Sequence, residues 1–386
     1  MSHDPVVIAA AARTPMGGFQ GALKSVPSTA LGAAAIRETM ARSGVAPGEV
    51  DEVIMGCVLP AGLGQAPARQ ASIGAGLPES VPCATVNKVC GSGMKATMLA
   101  ADLVAAGSAG IVVAGGMESM TNAPYLLDKA RAGYRLGHGR VLDHMFLDGL
   151  EDAYDRGRAM GTFAEDTAQH YQFTREAQDA YALASLERAL AATANGGFRA
   201  EIVPVEGVEH DEQPARAKPE KIPLLKPAFR ADGTVTAANS SSISDGAAAL
   251  LVMRMSEAEK RGLQPLARIV GHSSHAQAPA WFTTAPVFAI RKLMEKTGWD
   301  VAGVDLFEIN EAFAVVAMAA MRELDIPHDR LNVNGGACAL GHPIGCSGAR
   351  IVVTLLSALK ARGLKRGVAS LCIGGGEATA LAVELV

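Results

Sequence analysis

The chain has 386 residues, 49% apolar and 19% charged, with 42 glycines and few aromatics. That length and apolar content suffice for two core-forming units, while a formal net charge of −4 argues against a nucleic-acid partner. The start Met1-Ser2-His3-Asp4-Pro5 does not read as a secretory signal, no uninterrupted apolar run reaches the roughly 20 residues of a membrane span, and six dispersed cysteines do not read as a disulfide scaffold, so a cytoplasmic protein with reduced thiols is expected.

Strand-like runs alternate with Ala-rich or amphipathic helical segments, the pattern of an α/β protein. Val6-Val7-Ile8-Ala9-Ala10 reads as a buried strand, Ala30 to Ser43 as a helix stopped by Gly44, and Val53-Ile54-Met55-Gly56-Cys57 as a second strand. Gly93 to Ala106 reads as a helix stopped at Gly107, followed by the strand Ile111-Val112-Val113-Ala114. Asn122 to about Ser241 has a different texture, richer in charge and with a Pro-rich stretch from Pro214 to Pro227. It reads as a long insertion that covers a site. The C-terminal part then echoes the first. Gly345-Cys346-Ser347-Gly348-Ala349-Arg350 resembles Cys90-Gly91-Ser92-Gly93-Met94-Lys95, and each opens an apolar helix, the second ending near Arg362 with Gly363 as its stop. Gly115-Gly116-Met117-Glu118 and Gly375-Gly376-Glu377 supply a further match, and three in one order predict a duplicated α/β unit.

Three reactive side chains sit among glycines: Cys90, His342 in Gly341-His342-Pro343-Ile344-Gly345, and Cys372 in Cys372-Ile373-Gly374-Gly375-Gly376. A thiol at a helix N-terminus feels the positive end of the backbone dipole, which favours thiolate, and a nearby imidazole would take its proton. Backbone N–H groups in a glycine turn can stabilise an oxyanion. Together these predict acyl transfer through a thioester, one thiolate carrying the acyl group and the other moving a proton on a second substrate. Cys57, Cys83, Cys338 and Cys346 lack such support and read as structural. Gly91-Ser92-Gly93-Met94-Lys95-Ala96 fits a loose dinucleotide pattern, but the following strand runs into Gly115 where an acidic residue is wanted. Cys338, His342 and Cys346 are spaced for one helix face, yet Gly341, Pro343 and Gly345 break that helix, so no metal site is expected.

These segments together resemble the thiolase family. Ala10-Ala11-Ala12-Arg13-Thr14-Pro15 is similar to its opening, Gly115-Gly116-Met117-Glu118-Ser119-Met120 to its central turn, and Asn310-Glu311-Ala312-Phe313 to its asparagine motif. Val333-Asn334-Gly335-Gly336 through Gly345 resembles the histidine block, and Cys372 to Gly376 the last cysteine block. The resemblance runs nearly end to end. It implies a five-layered αβαβα fold from two similar halves, with residues 1–119 plus about 242–264 forming the first half. It further implies an inserted loop domain at 120–241 and a second half at 265–386. Also implied are coenzyme A thioesters as substrates, no permanently bound cofactor, and a homotetramer or dimer.

In the implied mechanism His342 activates Cys90, which takes an acyl group from an acyl-CoA, and Cys372 removes an α-proton from acetyl-CoA for a Claisen condensation. His342 with a water held by Asn310 would form one oxyanion hole, and the N–H groups of Cys90 and Gly374 the other. Family positions for coenzyme A carry over onto Leu150, Met160, Phe229, Ala237, Ser241, Ala312 and Phe313. The basic residues Arg216, Lys218, Lys221, Lys226 and Arg230 of the insertion would meet nucleotide phosphates. Two departures line the acyl pocket. Ala159-Met160-Gly161 stands where many short-chain members have His-Met-Gly, and Trp281-Phe282-Thr283-Thr284-Ala285-Pro286 lacks a Met-Gly pair. The expected reaction joins two acetyl-CoA into acetoacetyl-CoA. The alternatives are a degradative 3-ketoacyl-CoA thiolase of broader chain length and a non-catalytic thioester binder.

Overall fold

The computed structural model describes residues 4–386. In chain order its main elements begin with β1 (Val6–Arg13), α1 (Ser28–Ser43), β2 (Glu52–Gly56), α2 (Pro67–Gly74), β3 (Cys83–Val86), α3 (Ser92–Ala106) and β4 (Ile111–Ser119). After α4 (Gly161–Tyr171) and α5 (Arg175–Ala194) come β5 (Ser244–Arg254), β6 (Ala267–Ala276), α6 (Ala285–Thr297), β7 (Leu306–Ile309) and α7 (Ala314–Leu324). Helix α8 (Ile344–Arg362), β8 (Arg366–Ile373) and β9 (Glu377–Leu385) complete the chain. The glycine stops behave as predicted: Gly44, Gly107 and Gly363 end α1, α3 and α8 in the left-handed conformation that a side chain would oppose.

One sheet runs in the order β7-β8-β9-β6-β1-β5-β4-β2-β3. Its centre is a seam, since β1 and β6 share only the pairs Val7–Arg268 and Ile8–Ala267. The two sides of that seam repeat. In the first half β2 is parallel to β3 and β4, and β4–β5 and β5–β1 are antiparallel. In the second, β7 is parallel to β8 and to a bridge at Leu331, and β8–β9 and β9–β6 are antiparallel.

Strand side chains alternate between faces, and each half-sheet is covered on both. Val113 of β4 packs with Leu31 and Ile36 of α1, while Val112 and Ala114 pack with Ala96 and Ala100 of α3. Val368 of β8 meets the α6–α7 side, and Ala369 and Leu371 meet α8. Helices α3 and α8 therefore form a shared middle layer, giving αβαβα. A Cβ on Gly93 would lie 2.8 Å from the Ala349 nitrogen, and one on Gly348 would lie 2.4 Å from the Met94 nitrogen. The two equivalent glycines let the helices meet backbone to backbone. The segment Val89–Ala106 and helix α8 are each long and apolar enough to cross a membrane, yet both are mostly buried inside this protein.

Two sequence expectations are corrected. Gly115 to Glu118 lie inside β4, whereas Gly375 and Gly376 form the β8–β9 turn with φ of 90° and 88°. Those segments are not equivalents, and the glycine–glutamate match was chance composition. The stretch between β4 and β5 also carries more regular structure than its charge suggested. Its 20-residue helix α5 starts at Thr174, whose side chain accepts the Ala177 N–H as an N-cap should.

Candidate active site

Cys90 sits on a tight elbow between β3 and α3. Ser92 Oγ accepts the Lys88 N–H at 2.8 Å and donates to the Val89 carbonyl at 2.6 Å, while Val89 N–H donates to Asn87 Oδ1 at 2.9 Å. These bonds hold Val89 at φ 46°, a left-handed conformation that costs a β-branched residue about 1–3 kcal/mol. Lys88 also pairs with Glu377 at the start of β9, tying the elbow to the other half. The backbone N–H groups of Gly374 and of Cys90 itself lie toward the Cys90 sulfur and favour its thiolate. Burial nevertheless pushes the thiol up to about 11, so it rests protonated near neutral pH. The helix terminus alone does not make the thiolate that sequence reasoning expected, because desolvation of the charge outweighs two N–H bonds.

His342 follows Gly341 (φ 103°) and precedes Pro343, the residue before the first turn of α8. Its Nδ1 lies 2.5 Å from Ser347 Oγ, and Ser347 Oγ donates its single hydrogen to the Pro343 carbonyl at 2.9 Å. The serine must then accept, so Nδ1 carries the proton and Nε2 keeps its lone pair. Burial, then the positive charge of Arg350, lowers His342 to about 3. The imidazole is neutral and available as a base throughout the physiological range. Asn310, just beyond β7, places Nδ2 3.4 Å from the imidazole nitrogens. Ser347→Ala should slow transfer of an acyl group to Cys90 roughly tenfold, the worth of one hydrogen bond fixing a tautomer. Ser347→Thr should restore the rate; rapid-quench mass measurement of the acylated peptide reads both.

Cys372 is the penultimate residue of β8 and is buried. Burial, and then the neighbouring Cys90, push it well above the ordinary thiol value. Cys90, Gly374 and Cys372 are thus neighbours although the first is 282 positions from the last by sequence. The remaining cysteines are placed structurally: Cys57, Cys338 and Cys346 are all raised by burial. None of the six is disulfide-bonded.

Six of the seven positions expected to meet coenzyme A converge beside these residues. Ser241 N–H donates to the Ala312 carbonyl at 2.9 Å, and Ser240 bridges Phe313. Phe313 meets Phe229 edge to face at 5.9 Å, and Met160 packs in that cluster. A Cβ on Gly374 would lie 3.5 Å from Met160 Cε, and Met160 N–H donates to the Leu150 carbonyl. Leu150 in turn packs in the cluster that Cys90 touches. Ala237 is exposed. Arg216, itself exposed, and Arg230 are paired with Glu212 and Asp166, and Lys218, Lys221 and Lys226 are exposed. Among the described residues no group of three or more acidic, histidine or cysteine side chains is arranged to hold a metal. Sequence reasoning missed Ser347, Lys88 and Glu118. Ser347 lies inside the histidine block, but only knowing where α8 starts shows that it faces the ring.

The thiolase N-terminal domain family model matches residues 6–256 and the thiolase C-terminal domain model residues 263–385. An acetyl-CoA acetyltransferase 2 of Arabidopsis thaliana is 52% identical, covering 99% of this chain and 97% of its own. The crystal structure of the Bacillus anthracis acetyl-CoA acetyltransferase superposes with a TM-score of 0.96 at 45% identity, covering 100% and 99%. That of the Acat5 thiolase from Ascaris suum, in complex with coenzyme A, superposes with a TM-score of 0.95 at 42% identity, covering 99% and 100%. With both family models in order along the chain and the fold shared end to end, this protein belongs to the thiolase family.

Proposed function

We propose that this thiolase is an acetyl-CoA C-acetyltransferase, joining two acetyl-CoA into acetoacetyl-CoA and CoA through an acetyl-Cys90 intermediate. The observation that carries it is the Cys90 sulfur facing the Gly374 N–H, two residues past Cys372. A thioester carbonyl on Cys90 would meet the Cys90 and Gly374 N–H groups as its oxyanion hole. The names of the relatives support the same substrate.

The proton inventory follows from the shifts. His342 Nε2 takes the Cys90 proton as sulfur attacks the acetyl carbonyl. The departing CoA sulfur takes a proton from Cys372, whose raised pKa makes the thiol its resting form and the thiolate a strong base. Cys372 thiolate then removes an α-proton from the second acetyl-CoA. The enolate carbon attacks the acetyl-Cys90 carbonyl, the carbon–sulfur bond breaks, and Cys90 regains its proton from His342. Every proton is returned. Asn310 Oδ1 is buried with no hydrogen-bond partner among the described residues, which suits an acceptor for a water beside the second thioester.

Phe282 lies edge to face with Phe163 at 6.2 Å and against Phe313 at 6.5 Å, in the same cluster as Met160. Self-association to a homotetramer or dimer is part of the reading. Leu136 (98% exposed), Tyr125 (69%) and Val141 (61%) project from residues 125–141, an apolar surface that a partner copy would cover. Six unpaired cysteines suit a reducing, cytoplasmic setting. Thiolysis of acetoacetyl-CoA compared with 3-ketooctanoyl-CoA tests the substrate. At least a tenfold preference (about 1.4 kcal/mol) for acetoacetyl-CoA is expected, and the reverse preference overturns the short-chain reading.

A further inference from the structure

Glu118 is fully buried at the end of β4, and no step above uses it. Its surroundings are unusual for a carboxylate. Oε2 accepts the Val58 N–H and the Gly345 N–H, each at 2.9 Å, and Oε1 accepts the Leu59 N–H at 3.2 Å. The Cys57 thiol lies 3.7 Å from Oε1. Among the described residues no Lys, Arg or His pairs with it, so a buried acid is held by neutral donors alone. The titratable groups around it are Cys57 after β2, Cys90 before α3 and Cys346 on α8, each of which feels its charge.

The strand period explains how the site is built. Gly116 and Glu118 share one face of β4. A Cβ on Gly116 would fall 2.0 Å from the Gly345 carbonyl, so only glycine lets the start of α8 rest on β4. Glu118, one pleat further on, then accepts the Gly345 N–H. That N–H belongs to the first turn of α8, which has no partner within the helix. Pro343 precedes the turn and makes no side-chain cap bond. The carboxylate caps α8 from the opposite half of the fold, where the positive helix end favours an anion. His342 sits three residues before Gly345, and Cys90 packs against the cluster of Val58, Leu59 and Ile344 that lies beside the carboxylate.

We propose that Glu118 is a positioning residue for the Cys90–His342 pair, capping α8 across the two halves and setting, by its charge, how readily Cys90 ionises. Burial pushes Glu118 up to about 7 against the three N–H bonds. When ionised, its charge opposes thiolate on Cys90 and favours delivery of the proton through His342 over a standing thiolate. Capping fixes where His342 stands; charge adds to burial, the larger cause, in keeping Cys90 protonated until substrate arrives. The acyl-transfer half of this rests on Cys90 being the acyl acceptor, and the ionisation half does not.

Glu118→Gln separates the two effects. Removing the charge should lower the pH midpoint of Cys90 alkylation by iodoacetamide, read by peptide mass, by about half a unit or more. Alkylation near pH 8 should then run about threefold faster. Acetylation of Cys90 by acetyl-CoA should instead slow at least about tenfold, because the base is no longer held in place. A purely structural glutamate would make both fall together with Tm, and that result overturns the proposal, as does an unmoved midpoint in a folded variant. Should Glu118→Gln fail to fold, Cys57→Ser serves, since a hydroxyl donates a stronger bond to Oε1 and keeps Glu118 ionised to lower pH. Slower Cys90 alkylation there between about pH 6 and 7 supports the proposal and an unchanged rate overturns it. If wild type takes no acetyl group at all, the acyltransferase reading falls while the midpoint still decides the role of Glu118.

Discussion

Cys90→Ala is expected to lose all acetyl labelling from acetyl-CoA and to slow acetoacetyl-CoA thiolysis by at least about 10⁴-fold, as removal of a covalent nucleophile does. Nothing nearby replaces it. Cys346 is buried on the middle-layer helix and pushed up to about 12, and Cys57 is higher still beside Glu118. Folding should be unaffected, since the elbow is held by Ser92, Asn87 and Val89 without using the thiol. Wild type also has a distinctive pH response. A thiol near 11 and an imidazole near 3 are both neutral across the intervening range. The neutral pair is the reactant, so acylation by His342 and Cys90 has no acid limb at the ordinary histidine value of about 6.5. Falling pH removes the base only as it approaches the depressed value. Rates of Cys90 acetylation measured from pH 5 to 9 check this, and a half-maximal rate near pH 6.5 tracing to His342 contradicts it.

Cys372→Ala should split the reaction where Cys90→Ala stops it. Acetyl-Cys90 should still form, because CoA thiolate leaves a thioester without obligatory protonation. Condensation should fall by roughly 10³-fold, within the range for loss of a general base. Exchange of the acetyl-CoA methyl hydrogens with deuterated water should vanish with it. The two variants together assign nucleophile and base without any crystal of a complex: labelled but inert for Cys372→Ala, unlabelled and inert for Cys90→Ala. Labelling lost in both would mean that Cys372 supplies something the first step cannot do without.

The middle layer of the fold was legible because its signals are local. Apolar runs opened by Gly-Ser-Gly or Cys-Ser-Gly and closed by Gly107 or Gly363 specify α3 and α8 almost to the residue. Strand positions were legible as apolar runs, though β4 extends to Ser119, past the Ala114 at which the run was read to end. Cys90, His342 and Cys372 were visible as reactive side chains set in glycine turns. Their energetics were not, because the thiol pKa depends on burial contributed by residues hundreds of positions away. Glu118 was hidden for the same reason. Its donors come from residues 58, 59 and 345, and its glycine neighbours suggested a turn where the chain is extended. The charged segment before β5 hid α5 because charge marks an exposed face, not an absence of helix.

The sheet order also has a consequence for how the chain is made. Strand β1, which leaves the ribosome well before β5, pairs with it at Ala248–Arg254 and touches β6 at residues 267 and 268. Strand β4 likewise waits for β5, its antiparallel neighbour at residues 245–253. The middle of the first half-sheet is therefore missing until about two thirds of the chain has been synthesised. Until then the apolar edges of β1 and β4 stand open, as long-range strand pairing leaves them. A nascent chain stalled shortly before residue 244 carries all of α1 to α5 and still cannot close its first core. Stalling a few tens of residues later, once β5 clears the exit tunnel, is where protease resistance of that half should first emerge.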